Sequence, residues 1–139
     1  NNQSVTTAGV YSTGVHGVSG SIVGTTDTQS LSNKTLSSSK FTYTLNNQTT
    51  DYTVVDGDQD KIVALTSATD KTITLPTGVL GPGAVVNVMQ LATGAYSVTG
   101  VTGVTVSGRN GLKTAGVGAF ASIVCTSSNT YAVIGDVTT

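Results

Sequence analysis

From residue 41 to the end of the chain, apolar side chains recur at every second position, and no run lasts long before a turn residue stops it. Phe41, Tyr43 and Leu45 alternate with Thr42 and Thr44, and Thr72-Ile73-Thr74-Leu75 repeats the alternation before stopping at Pro76. A period of two places alternate side chains on opposite faces of a strand, whereas a helix needs apolar residues three or four apart. Pro76 has no N–H for a strand ladder and marks a strand end. No segment carries a convincing helical period, so the chain is restricted to short strands joined by turns.

Further strands follow from the same reasoning. Asn46-Asn47 predicts a turn, and residues 52–55, Tyr-Thr-Val-Val, predict a strand that ends at Asp56-Gly57, a pair that tolerates tight-turn geometry. Residues 62–65 form the next apolar run. Gly81-Pro82-Gly83 predicts a turn, and the continuous apolar run over residues 84–89 predicts a central strand buried on both faces. Residues 96–98 and 104–106 are shorter strands. Residues 119–125 and 131–134 predict a hairpin closed over Ser127-Ser128-Asn129. Short strands at roughly 8 to 12 residue intervals with turns between them predict an antiparallel β-sandwich or barrel.

Residues 1–40 differ from the rest. They are poor in bulky side chains and rich in Gly, Ser and Thr, with Gly14, Gly17 and Gly20 inside Gly-Val-His-Gly-Val-Ser-Gly. Such a segment buries too little apolar surface to offset its ordering entropy alone. The glycine triplets are too few, and lack the proline, for a collagen helix. The expectation is an extended arm, residues 1–40, followed by an all-β domain, residues 41–139. Val5, Val10, Val15, Val18, Ile22 and Val23, with His16, Leu31 and Leu36, are its expected contacts with a neighbouring subunit or a larger surface.

Charge narrows the function. The 139 residues include no Glu and no Trp, and only 9% are charged, against about a quarter in an average soluble domain. A net charge of −1, with five scattered lysines and one arginine, leaves no basic patch for nucleic acid. No apolar stretch has the roughly 18 to 20 residues of a spanning helix, so membrane insertion is not expected, and the start of the chain has no secretion-signal pattern.

The residues that carry chemistry elsewhere have plainer readings here. Asp56, Asp58 and Asp60 resemble the start of a calcium loop, but Lys61 stands at the sixth position and Ser67 at the twelfth, so a solvated turn is expected. His16 is the only histidine, which excludes a Ser-His-Asp triad or a histidine metal cluster within one chain. Cys125 lies in an apolar run and reads as a buried thiol. Asn33-Lys-Thr35 and Asn47-Gln-Thr49 match a glycosylation pattern that arises by chance in a chain so rich in Thr. Gly116-Val-Gly118 and Gly81-Pro82-Gly83 lack the residues of a phosphate loop. A glycosidase would need paired carboxylates, and only Asp pairs such as Asp51 with Asp136 are available. No enzyme, cofactor or metal is expected. Of the five tyrosines, Tyr11, Tyr43, Tyr52, Tyr96 and Tyr131, most are spaced as inward strand positions, and sugar stacking is the lesser reading.

The order of motifs resembles the C-terminal β-domain of tailed-bacteriophage fibre and virion-surface proteins. The similarity runs from Tyr-Thr-Val-Val at Tyr52 through Thr-Ile-Thr-Leu-Pro at Thr72 and the Gly-x-x-Val-x-Val-x-Gln strand from Gly83 to Gln90. It continues through Gly-Val-Thr-Val at Gly103 and closes with Tyr131, where such domains more often carry Trp, and Gly135-Asp136. The stretch from Gly14 to Leu36 is similar to connector segments of the same proteins.

The resemblance implies a homotrimer at the virion surface. Its partners would be its own copies and the major capsid protein or another virion protein, with a host surface glycan in the second reading. In the first reading the protein is a capsid decoration or head-fibre protein bound through its arm, with the β-domain projecting outward. In the alternative it is a tail-fibre receptor-binding protein, using loops within residues 99–111. The chain's shortness favours decoration. Exposed sheet edges also favour assembly, since unpaired strands invite partners.

Overall fold

The computed structural model describes residues 38, 40, 42–59 and 61–139. The sequence-predicted arm and its contact residues Val10, Val15, His16, Val18, Ile22, Val23, Leu31 and Leu36 lie outside the described residues. The following concerns the compact unit Lys40–Thr139.

Eleven strands form two sheets. They are β1 (Thr44–Gln48), β2 (Tyr52–Thr53), β3 (Lys61–Leu65), β4 (Lys71–Leu75), β5 (Val85–Gln90), β6 (Tyr96–Gly100), β7 (Thr105–Gly108), β8 (Lys113–Thr114), β9 (Phe120–Ser127), β10 (Thr130–Gly135) and β11 (Val137–Thr138). One 3-10 turn, Asp56–Asp58, is the only helical element among the described residues. Sheet A has the order β1-β3-β5-β9-β10-β7, and sheet B the order β11-β8-β6-β4-β2.

The first six strands alternate between the sheets, and each of β1 to β4 pairs in parallel with its equivalent one circuit later. Thr44 lies opposite Lys61 and Ile62 opposite Asn87 in sheet A; Tyr52 lies opposite Ile73 and Lys71 opposite Tyr96 in sheet B. Three stacked circuits of this kind make a short β-solenoid. An antiparallel sandwich or barrel, as the turn spacing predicts, is therefore corrected to a mixed-sheet coil. The physical reason lies in the corners: residues 49–51 and 66–70 carry the chain across to the other sheet, so a strand's partner comes from the next circuit. Antiparallel pairing is confined to the last third, where the β9–β10 hairpin joins β5 and β8 joins β6 and β11, while β10 pairs with β7 in parallel.

Two further expectations are corrected. Asn46 and Asn47 are not a turn but the middle of β1. The β5 strand is central, but only alternate residues are fully buried: Val86, Val88 and Gln90 point inward, while Val85, Asn87 and Met89 are half-buried on the other face.

One core lies between the sheets. Val63, Leu65, Val86, Val88 and Ile123 from sheet A meet Ile73, Leu75, Tyr96 and Val98 from sheet B. Each such fully buried side chain contributes roughly 1.5–3 kcal/mol. The corners stack as the strands do: Leu91 N–H donates to the Leu65 carbonyl at 2.8 Å, Gly94 N–H to the Ser67 carbonyl at 3.1 Å and Lys71 N–H to the Ala95 carbonyl at 2.9 Å. Buried Gln90 ties this corner together. Its Nε2 donates to the Ala92 carbonyl at 2.9 Å and its Oε1 accepts from Thr114 Oγ1 at 2.6 Å, while Thr114 Oγ1 accepts from Tyr96 N–H at 2.9 Å.

Candidate functional site

Three features outside the apolar core are built from polar or exposed residues. The first closes the β1 end of the core. In the first circuit the inward positions are Asn46 and Gln48, where later circuits place Val63 and Leu65. Polar side chains there need partners, and Asp58 supplies them. Asn46 Nδ2 donates to Asp58 Oδ1 at 3.0 Å, Tyr52 Oη to Asp58 Oδ2 at 2.9 Å and the Val55 N–H to Asp58 Oδ2 at 2.9 Å. Asn46 Nδ2 also donates to Tyr52 Oη at 2.9 Å, and Gln48 Nε2 to Asn46 Oδ1 at 2.7 Å.

Asp58 is fully buried, which corrects the solvated turn expected for Asp56, Asp58 and Asp60. Asp56 is exposed and Asp60 lies outside the described residues. Burial, with the hydrogen bond to Asp58 second, raises the Tyr52 phenol above its ordinary pKa. Terminal repeats of a solenoid carry polar side chains where an apolar core would otherwise be open, and among the described residues this network closes the β1 edge of the core in that way. Both Asp58 oxygens are engaged by protein donors, and among the described residues no cluster of three His, Cys or Asp side chains is arranged to hold a metal.

The second feature is an open groove of about 560 Å³ at the far edge of sheet A, lined by Ser107–Asn110, Ala132–Gly135 and Val137. Arg109, the only arginine, stands on its rim just past β7. Lys113 and Asp70 form the ion pair found among the described residues, at 2.8 Å, and Arg109 has no acidic partner there. Of the groove's lining, Ser107–Asn110 belong to the residue 99–111 loops that an adhesive reading would use, and the rest comes from β10 and Val137. A planar guanidinium beside an apolar wall can take a carboxylate or phosphate through paired hydrogen bonds.

The third feature is the contrast between the outer faces of the two sheets. On sheet B, Thr53, Thr74 and Thr99 form one row, and Thr72, Ser97, Lys113 and Thr138 another. Asp51 Oδ1 accepts from the Thr72 N–H at 2.8 Å, and Asp70 accepts from both the Ala95 N–H and Lys113. Those bonds, the backbone one first, hold the Asp70 carboxyl below its ordinary pKa. Sheet A carries Leu45, Ile62, Asn87, Ser122 and Ile134 in one outward row, and Asn47, Ala64, Met89 and Phe120 in the next.

Cys125 is buried, its thiol donating to the Leu80 carbonyl at 3.3 Å. Tyr52, Tyr96 and Tyr131 face inward as their spacing predicts, while Tyr43 is exposed. Asn46-Asn47 satisfies a turn pattern locally, which masks the polar cap in the sequence. Its signal was the alternation of Asn46 and Gln48 in phase with a strand. The chain matches no family model, no curated protein and no solved structure.

Proposed function

We propose that this chain is a structural protein of a tailed-bacteriophage particle, a homotrimeric capsid decoration protein whose residues 1–40 bind the shell and whose β-domain projects from it. The observation that carries the reading is the short coil of parallel circuits with a polar cap at its β1 end. Stacked circuits support one another along a single direction through backbone ladders and a continuous core, which suits a rigid projecting element. The motif order from Tyr52 to Asp136 supplies the phage context. Thr- and Ser-rich surfaces with few ion pairs fit a particle that must hold together across wide changes of salt.

Incubating the full chain with phage heads that lack it, followed by electron cryomicroscopy, tests this reading. Density at symmetric lattice positions is the expected result, lost when residues 1–40 are deleted. Heads that stay bare with the full chain overturn it.

A second reading, a tail-fibre receptor-binding protein, is favoured by the groove at Arg109. In that case the chain binds host cells through an acidic surface glycan, and Arg109→Ala reduces cell binding at least tenfold. Unchanged binding counts against it.

A further inference from the structure

We propose that the Asn110-Gly111 junction modifies itself, Asn110 converting to Asp or isoaspartate and turning the groove beside Arg109 from cationic to neutral. The proposal rests on neither functional reading above. It begins from the backbone. β7 ends at Gly108 and β8 begins at Lys113, so Asn110 lies in the connection between them, outside any strand ladder. Among the described residues, Asn110 is the one asparagine followed by glycine.

Glycine in that position opens a specific reaction. It has no Cβ to hinder approach, so its amide nitrogen, once hydroxide has taken the proton, can attack the side-chain carbonyl carbon of Asn110. The new N–C bond closes a succinimide ring, and the bond from that carbon to Nδ2 breaks, with Nδ2 leaving as ammonia. Water then opens the ring at either carbonyl. The products are Asp and an isoaspartate whose backbone runs through the former side-chain carbon, a covalent change of charge that needs no oxidant or reductant.

The fold leaves both reacting groups free. Asn110 is exposed, and the Gly111 N–H has no backbone partner among the described residues. An amide in a ladder is held by its hydrogen bond; this one is not. The other asparagines are restrained. Asn46 is bound to Asp58 and Gln48, Asn87 to Ser122, and Asn129 Oδ1 accepts from the Gly78 N–H at 2.8 Å, while Asn47 sits within β1. Packing also fixes the glycine. Gly111 has a φ of 126°, and a Cβ there would overlap the Thr138 carbonyl, so no larger residue can take its place.

The change falls on the groove itself. Asn110 and Arg109 both line it, and Arg109 is the one charged residue of that lining. A carboxylate at position 110 cancels this charge and lowers the chain's net charge of −1 by one further unit. An anion approaching Arg109 then meets a like charge beside it.

Peptide mapping by mass spectrometry tests the proposal on the full chain, kept folded at body temperature in mildly alkaline and mildly acidic buffer. In alkali the peptide carrying residue 110 is expected to gain one mass unit over days and to split into Asp and isoaspartate forms. Peptides carrying Asn46, Asn47, Asn87 and Asn129 stay unchanged over the same interval. The reaction should slow about tenfold for each unit of pH lost, because the deprotonated Gly111 amide becomes scarcer in that proportion. Asn110→Gln, whose longer side chain closes its ring far more slowly, should abolish the acidic form seen by isoelectric focusing, with circular dichroism unchanged. A free peptide of residues 107–113 is the reference. If that peptide reacts and residue 110 of the folded chain does not, the fold shields the junction and the proposal is overturned. Equal reaction at Asn47 or Asn129 also overturns it, since the modification would then owe nothing to Gly111.

Discussion

Asp58 is the residue on which the β1 end of the core depends. Its two oxygens receive Asn46, Tyr52 and the Val55 N–H while it is fully buried. Hydrogen bonds to a charged group are worth about 1.5–3 kcal/mol, and the donors left behind remain desolvated. Asp58→Ala is therefore expected to lower the unfolding free energy by about 2–3 kcal/mol in urea titrations, whereas Asp56→Ala, at an exposed position, stays within about 0.5 kcal/mol. An equal effect of the two changes would refute the cap. Tyr96 presents the opposite case, because its buried hydroxyl has no hydrogen-bond partner among the described residues. Removing an orphaned polar group removes its desolvation penalty. Tyr96→Phe should leave the melting temperature unchanged or raise it, and Tyr52→Phe, which loses its bond to Asp58, should lower it. Nothing in Asp-Gly-Asp-Gln-Asp distinguishes the buried carboxylate from its exposed neighbour, because the distinction depends on Asn46 and Tyr52 arriving from other strands.

At the scale of the elements, the strands were legible and their partners were not. Residues 62–65, 72–75 and 131–134 fall inside β3, β4 and β10, since alternation and turn residues are local properties. The turn expected at Asn46-Asn47 fails because inward hydrogen bonds to Tyr52 and Asp58 hold Asn46 extended. Parallel pairing depends on corner packing, and Gly94 shows how closely the corners approach. A Cβ at Gly94 would collide with the Thr69 carbonyl of the preceding circuit. Gly94→Ala is expected to cost roughly 1–3 kcal/mol, as overpacking does, measured by chemical denaturation. Gly81→Ala meets open space and should fall within about 0.5 kcal/mol. If Gly94→Ala proved as mild as Gly81→Ala, the close stacking of the second and third circuits would be wrong.

For the whole molecule, the buried phenols set the alkaline limit. Burial raises the folded-state pKa of Tyr52, Tyr96 and Tyr131 above the ordinary value near 10. A raised folded pKa means that this stabilisation is complete below about pH 10 and is lost as pH rises through the folded values. In an alkaline titration, tyrosinate absorbance from these three residues should therefore appear together with loss of the β-sheet circular dichroism. Phenolates that form while the sheets persist would contradict their burial. In acid the sign reverses for Asp70, whose folded pKa is lowered first by the Ala95 N–H and then by Lys113. Its contribution is present above about pH 4 and fades as pH falls below that. The stability gap between the unaltered chain and Asp70→Asn should shrink on acidification, and salt should narrow it further because the pair is exposed.

Local chemistry decided that this chain is built of short strands, because β-branched alternation, Pro76 and the Gly-rich turns act within a few residues. The same local signals set the inward phase of Val63, Leu65, Val86 and Val88. The choice between folding back and coiling onward belonged to the tertiary structure, as did the burial of Asp58 and the gathering of neutral side chains on sheet A. Each of these depends on which distant strand lies alongside, and because stacked positions such as Asn46, Val63 and Val88 are unequally spaced along the chain, the circuits leave no fixed period in the sequence.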